Sequence, residues 1–125
     1  MSKEIDYLEL VDLLQLGKEI IEDFRVRDLG LLESALARPK TTVFGEDAYP
    51  TFPEKVATLL HSISSNHALI DGNKRLAWSG ARLFCLMNDC DIKMSEDEAY
   101  QMVLGVASGA IDLPDLIKIM KKAVR

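Results

Sequence analysis

The sequence predicts an all-α domain of about six helices carrying one small β-hairpin flap, and three observations support that expectation. Apolar residues recur at helical spacing through most of the chain. Residues 76–87, LAWSGARLFCLM, hold a single charge, Arg82; a helix apolar nearly all round is a central one, surrounded by others. Only KTTVFGEDAYPTF reads as strand, with β-branched and aromatic residues flanking Gly45, Glu46 and Asp47.

Taken in order, Ile5, Leu8, Leu13 and Ile20 sit among acids at roughly helical spacing and predict a first helix over about 4–23. Asp28 caps a second, LGLLESALAR, which Pro39 ends because a proline disfavours helical geometry in the residue before it. After the flap, Thr51 and Glu54 have the spacing of a capping box, and Val56, Leu59, Leu60 and Ile63 share one helical face leading into Asn66 and His67. The apolar helix follows DGN. Ser95 and Glu98 open the next helix, with Tyr100, Met102, Val103 and Val106 inside and Gly109 at its close. The last begins at Asp112 or Leu113, with Pro114 in its first turn and Leu116, Ile117 and Met120 facing inward. Lys118, Lys121 and Lys122 lie towards the end where the helix dipole favours cations.

A chain of 125 residues without repeats or linker-like runs is expected to form one domain over 1–125. Hydrophobic residues at 48% and charged residues at 28% exclude a wholly disordered chain. The net charge of -5 argues against nucleic acid or an anionic membrane as the main partner, since both call for a basic surface. The N-terminus intersperses acids with apolar residues, unlike a secretory signal, and no stretch is apolar enough to span a bilayer, so the cytoplasm is the expected location. Cys85 and Cys90 lack any metal-binding or redox spacing and read as reduced thiols.

Most of the polar chemistry falls in one stretch, NHALIDGNKRLAW, at residues 66–78. As helix, tight loop and helix, it places Gly72 where a side chain would be forbidden and leaves the N–H groups of the next helix's first turn pointing into the loop. Such a turn suits a phosphate, with Lys74 adding a point charge and Arg75 a planar fork, while Asn73 either fixes the loop or contacts the ligand. Asp71 would repel a phosphate unless Mg²⁺ bridges the two. His67, four residues earlier, is then close enough to take a proton from an attacking hydroxyl. Each residue also has a plainer reading. His67 could be a core histidine continuing the Val56, Leu60, Ile63 face, Asp71 and Asn73 turn and cap residues, and Lys74 with Arg75 a solvated pair. Trp78, Tyr49 and Phe52 read as core or flap packing rather than a base-stacking platform, because nothing basic is interleaved with them.

HALIDGNKR resembles the signature of the Fic/Doc (Fido) superfamily, and its lysine resembles the death-on-curing, or Doc, toxins of toxin-antitoxin systems. RDLGLLESALARP, FGEDAYPTF, the helix into SNH and the apolar helix after NKR extend the likeness over about residues 27–110. The resemblance implies His67 as general base, Asp71 as Mg²⁺ ligand, and Gly72, Asn73, Lys74 and Arg75 as the nucleotide-phosphate loop. It implies ATP as donor, and transfer of its terminal phosphate to a hydroxyl of a translation factor such as elongation factor Tu. In Fic enzymes, which move AMP, a glycine and an arginine stand where this chain has Lys74 and Trp78. AMP transfer is therefore the rival activity, and a non-catalytic binding module the rival of another class. Ala68 and Leu69 depart from the commoner bulky residues after the histidine, which bears on packing more than on charge. Thr42 and Glu46 have the spacing of a self-inhibitory motif but lie in the flap, so restraint is expected from a cognate antitoxin whose flexible tail folds onto the toxin. The flap at about 41–52, with Thr42, Val43, Phe44, Gly45, Glu46, Asp47 and Tyr49, is expected to clamp the protein substrate by strand pairing.

Overall fold

The computed structural model describes residues 4–125 and is all-α as expected, with six helices and one two-stranded antiparallel sheet. In chain order these are α1 (Leu10–Ile20), α2 (Leu29–Ala37), a 3₁₀ turn (Arg38–Lys40), β1 (Thr42–Val43), β2 (Glu46–Asp47), α3 (Phe52–Asn66), α4 (Asn73–Met87), α5 (Glu96–Ser108) and α6 (Leu113–Ala123).

Several boundaries follow from local chemistry. Thr51, Ser95 and Asp112 each accept a hydrogen bond from the backbone N–H three residues on, relieving one orphan donor of α3, α5 and α6. At Ser95 the box is reciprocal, Glu98 returning a bond to the cap N–H. At Thr51 it is not, because Glu54 accepts from the threonine hydroxyl instead. Gly109 closes α5 in the left-handed region.

Other boundaries depart from the sequence expectation. The first helix begins at Leu10 rather than near residue 4, capped by a Glu9–Asp12 box, and residues 4–9 run outside it. The Asn88 side chain explains this: its amide pairs with both the N–H and the carbonyl of Asp6, at 2.9 Å each, and so supplies the partners a helical turn would otherwise supply. Pro39 does not end α2 abruptly either. Arg38 stays helical and the chain tightens into a 3₁₀ turn, because its guanidinium is held on α3 by His61 Nδ1 and Ser62 Oγ, both at 3.0 Å. Tyr100 faces solvent, since the inner face of α5 runs through Ala99, Met102, Val103 and Val106.

The centre of the fold is α3 rather than the helix over 76–87. It touches α2, the 3₁₀ turn, α4, α5 and α6, and from Lys55 to Leu60 every residue is buried. α4 packs on α3, α1 and α5 through Leu76, Ala77, Gly80, Ala81, Phe84 and Cys85, and leaves Arg75, Arg82 and Leu86 outside. At the far end of α4, Arg82 grips Asp91 with two bonds of 2.9 and 2.7 Å, and this guanidinium holds the Asp91 carboxyl down at about 2. Asp91 and Arg125 exchange backbone bonds beside an Ile92–Val124 bridge, which pins the C-terminus next to α4. No helix among the described residues is long and apolar enough to cross a membrane.

His61 makes stability depend on pH. Burial first, and then the Arg38 cation, lower its pKa from the ordinary value, so the unfolded chain takes up the proton more readily than the folded one. The stabilisation is therefore complete above pH 6.5 or so and declines as pH falls below it, towards the folded pKa. His61→Asn, which keeps an acceptor for Arg38, is expected to flatten the dependence of Tm on pH between roughly 7.5 and 5.5. Parallel melting curves of the two proteins check this, and identical slopes would remove His61 from the account.

Candidate functional site

α3 ends at His67, which takes up a left-handed C-cap conformation (φ 54, ψ 44) uncommon for a residue with a side chain. Tertiary bonds hold it there. The Arg27 guanidinium donates to the His67 carbonyl, and the Ala68 carbonyl accepts from the N–H groups of Arg27 and Asp28 at 2.8 and 3.0 Å. The Ile70 N–H donates to Arg25 at 3.1 Å beside a Val26–Leu69 bridge. Residues 25–28 therefore stitch the loop from one side. Sequence reading missed these partners because they lie about forty residues upstream of the loop, and no local pattern marks them.

From the other side the loop closes on itself. The Asn73 amide accepts from the Leu69 N–H at 2.9 Å and donates to the Leu69 carbonyl at 3.1 Å, so of its two expected roles it fills that of fixing the loop. Gly72 has φ 91, and a Cβ there would lie 2.7 Å from Ile21 Cδ1. Both conformation and space therefore demand glycine, and the end of α1 is braced against the turn. Gly72 caps α4 without a side-chain bond, and among the described residues nothing accepts from the backbone N–H groups of Asn73, Lys74 and Arg75. The helix, tight turn and helix expected from the sequence are present, with these N–H groups left open.

His67, Asp71, Gly72, Asn73, Lys74 and Arg75 all line one cavity of about 1120 Å³. His67 is exposed, so the reading as a core histidine falls: the left-handed cap takes it off the apolar face of α3. Lys74 and Arg75 line the cavity with no acidic partner among the described residues. One turn before His67, Ser64 lines the same cavity. It is 1% exposed, and its hydroxyl is the buried side-chain polar atom left without a hydrogen-bond partner among the described residues. Such a group calls for a partner from outside the chain.

Asp71 is exposed, and its Oδ1 accepts from the Gly72 N–H at 2.9 Å. Among the described residues no three or more His, Cys, Asp or Glu converge on a metal position. A single carboxylate beside a phosphate turn fits Mg²⁺ arriving on a nucleotide, which needs only one or two protein carboxylates besides the phosphates. Cys85 is buried, and burial pushes its thiol up and away from the thiolate that metals and electrophiles require.

The flap residues Thr42, Val43, Phe44, Gly45, Glu46, Asp47 and Tyr49 do not line this cavity. Their anchor is Lys55. Its buried ammonium donates to the Pro39 carbonyl at 3.1 Å and to Asp47 at 3.3 Å, tying the hairpin to the N-terminal half of α3. His67 is twelve residues further along, about 18 Å at the helical rise. Phe44 and Gly45 form the turn, both at positive φ, with the Phe44 side chain wholly in solvent. Lys55→Met is expected to speed amide exchange across Thr42–Asp47 by about ten- to a hundredfold, the equivalent of losing bonds to a charged donor. Exchange of the 67–75 loop should not change. Hydrogen-exchange mass spectrometry checks both, and equal loosening of the two regions would contradict this division.

The chain is similar to known proteins. A model of the Fic/DOC family covers residues 7–85. The chain is also 46% identical over 99 residues to a protein named Toxin Doc from Mycolicibacterium smegmatis, the match covering 74% of this chain and 76% of that protein.

Proposed function

The chain belongs to the Fic/DOC family, and on that premise we propose that it is the toxin of a toxin-antitoxin system, an enzyme that transfers the terminal phosphate of ATP to a serine or threonine hydroxyl of a translation factor. The observation that carries the reading is the convergence of an exposed imidazole, a carboxylate and two unpaired cations on one cavity, around a helix start whose N–H groups are unpaired among the described residues.

In this reading the first turn of α4, Lys74 and Arg75 hold the nucleotide's phosphates by dipole, point charge and fork. Asp71 would hold a Mg²⁺ arriving with them, which would neutralise phosphate charge. His67 takes the proton from the substrate hydroxyl as its oxygen bonds to the γ-phosphorus, and the bond from that phosphorus to the β–γ bridging oxygen breaks to release ADP. The Asn73 side chain and Arg27 position the loop. The hairpin, anchored on α3 through Lys55, engages the protein substrate by strand pairing. Restraint comes from a cognate antitoxin whose flexible tail covers the site, and the site of action is the cytoplasm.

The test is transfer from ATP carrying separate labels on its α- and γ-phosphates, using the purified chain and a cell extract. Protein that acquires only the γ label is the expected result. Only the α label would replace phosphate transfer by AMP transfer, and growth arrest that survives His67→Ala would replace both by a binding role.

A further inference from the structure

The cavity does not end at the phosphate turn. It continues along α4, where Lys74, Trp78 and Arg82 all line it. These residues are four apart, so they form one stripe on one face of the helix, each about 6 Å further along its axis. In sequence Trp78 reads as packing, with no basic residue beside it. Helical geometry interleaves it between two.

Trp78 is half-buried: part of it packs on the hydrophobic core, and it also lines the cavity. From α5, Ala99 and Val103, themselves one turn apart, line the same cavity and contribute small apolar side chains. The charges set the direction. Arg82 is neutralised by its two bonds to Asp91, whereas Lys74 and Arg75 have no acidic partner among the described residues. Charge therefore favours an anion at the start of α4, and Trp78 lies on the uncharged side of the same cavity. The buried Ser64 hydroxyl on the same cavity, without a partner among the described residues, is a further polar group that a ligand there would satisfy.

We propose that Trp78 is the nucleoside platform of this enzyme: the purine ring of the nucleotide whose phosphates rest at Lys74 and Arg75 stacks on the indole, with Ala99 and Val103 of α5 lining the same slot. The assignment rests on the reading of the ligand as a nucleotide. Stacking of a base on an aromatic face tolerates different bases and adds affinity without adding charge.

The chain has one tryptophan, so its emission reports on this position alone. Labelled Mg-ATP in equilibrium dialysis, tryptophan emission and competition by Mg-tripolyphosphate, which has the phosphates but no base, form the test. ATP is expected to quench the emission and tripolyphosphate to displace ATP without comparable quenching. Trp78→Leu should bind ATP roughly 5- to 100-fold more weakly while binding tripolyphosphate as the wild type does, and Trp78→Phe should recover most of the loss. Unchanged ATP affinity in Trp78→Leu would overturn the proposal. So would equal weakening of ATP and tripolyphosphate, which would show that the indole merely supports the turn. If the wild type retains neither probe, the nucleotide reading itself fails and the platform with it, a result distinct from either.

Discussion

Replacing His67 with alanine is expected to lower the rate of phosphate transfer by about 10²- to 10⁴-fold, the range for loss of a positioned general base. The folded protein should be unaffected. His67 is exposed, and the bonds that hold its backbone come from its own carbonyl and from its neighbours Ala68, Leu69 and Ile70 rather than from its ring. Tm and ATP affinity should therefore match the wild type, so the loss appears in kcat. Single-turnover kinetics with saturating ATP is the measurement. A decline smaller than tenfold would show that another group, or solvent, takes the proton.

Gly72→Val should have the second large effect, through structure rather than chemistry. A β-branched residue at φ 91 is strained, and its Cβ would sit 2.7 Å from Ile21 Cδ1. Left-handed strain and overpacking together cost about 2 to 5 kcal/mol, equivalent to a fall in Tm of roughly 8 to 20 °C. Relief requires the turn to move off α1, which displaces the first N–H groups of α4, so molecules that remain folded should bind ATP poorly. Gly109→Ala separates the two causes. Gly109 has nearly the same φ, 84, but nothing lies within 4 Å of an added Cβ. It should lose only the conformational part, about 1 to 2 kcal/mol, and retain ATP affinity. Equal loss of ATP binding in both variants would mean that the contact with Ile21 is unimportant to the site.

The features that sequence disclosed are those set within a few residues of one another. Ser95 with Glu98, Asp112 before Pro114, Gly109 as a stop and the Gly72 turn are local arrangements, and each appears where the residues indicate. The site loop was legible for the same reason, since His67 through Arg75 carry its chemistry in nine consecutive positions. What failed depends on distant partners. Asn88 redirects residues 4–9 from 82 positions away, and Arg38 continues past α2 because His61 and Ser62 receive it. Composition made residues 76–87 look most central, yet only packing shows that α3, with its buried lysine, touches more of the fold. Lys55 looks like any surface cation in sequence, so the hairpin's attachment to the N-terminal half of α3 was not visible. Tyr100 failed for a simpler reason: it falls one position off the inner face of its helix.

The pairing of residues 25–28 with 67–70 ties the reactive turn to the cooperative fate of the whole chain. A segment held by partners forty positions away, and braced by the end of α1, has little order to keep once those partners depart. Order in the turn thus depends on α1 and residues 25–28 staying in place. A variant weakened far from this turn would lose the ordered turn along with its folded molecules, whereas one weakened at the turn itself, such as Gly72→Val, would lose it in molecules that stay folded.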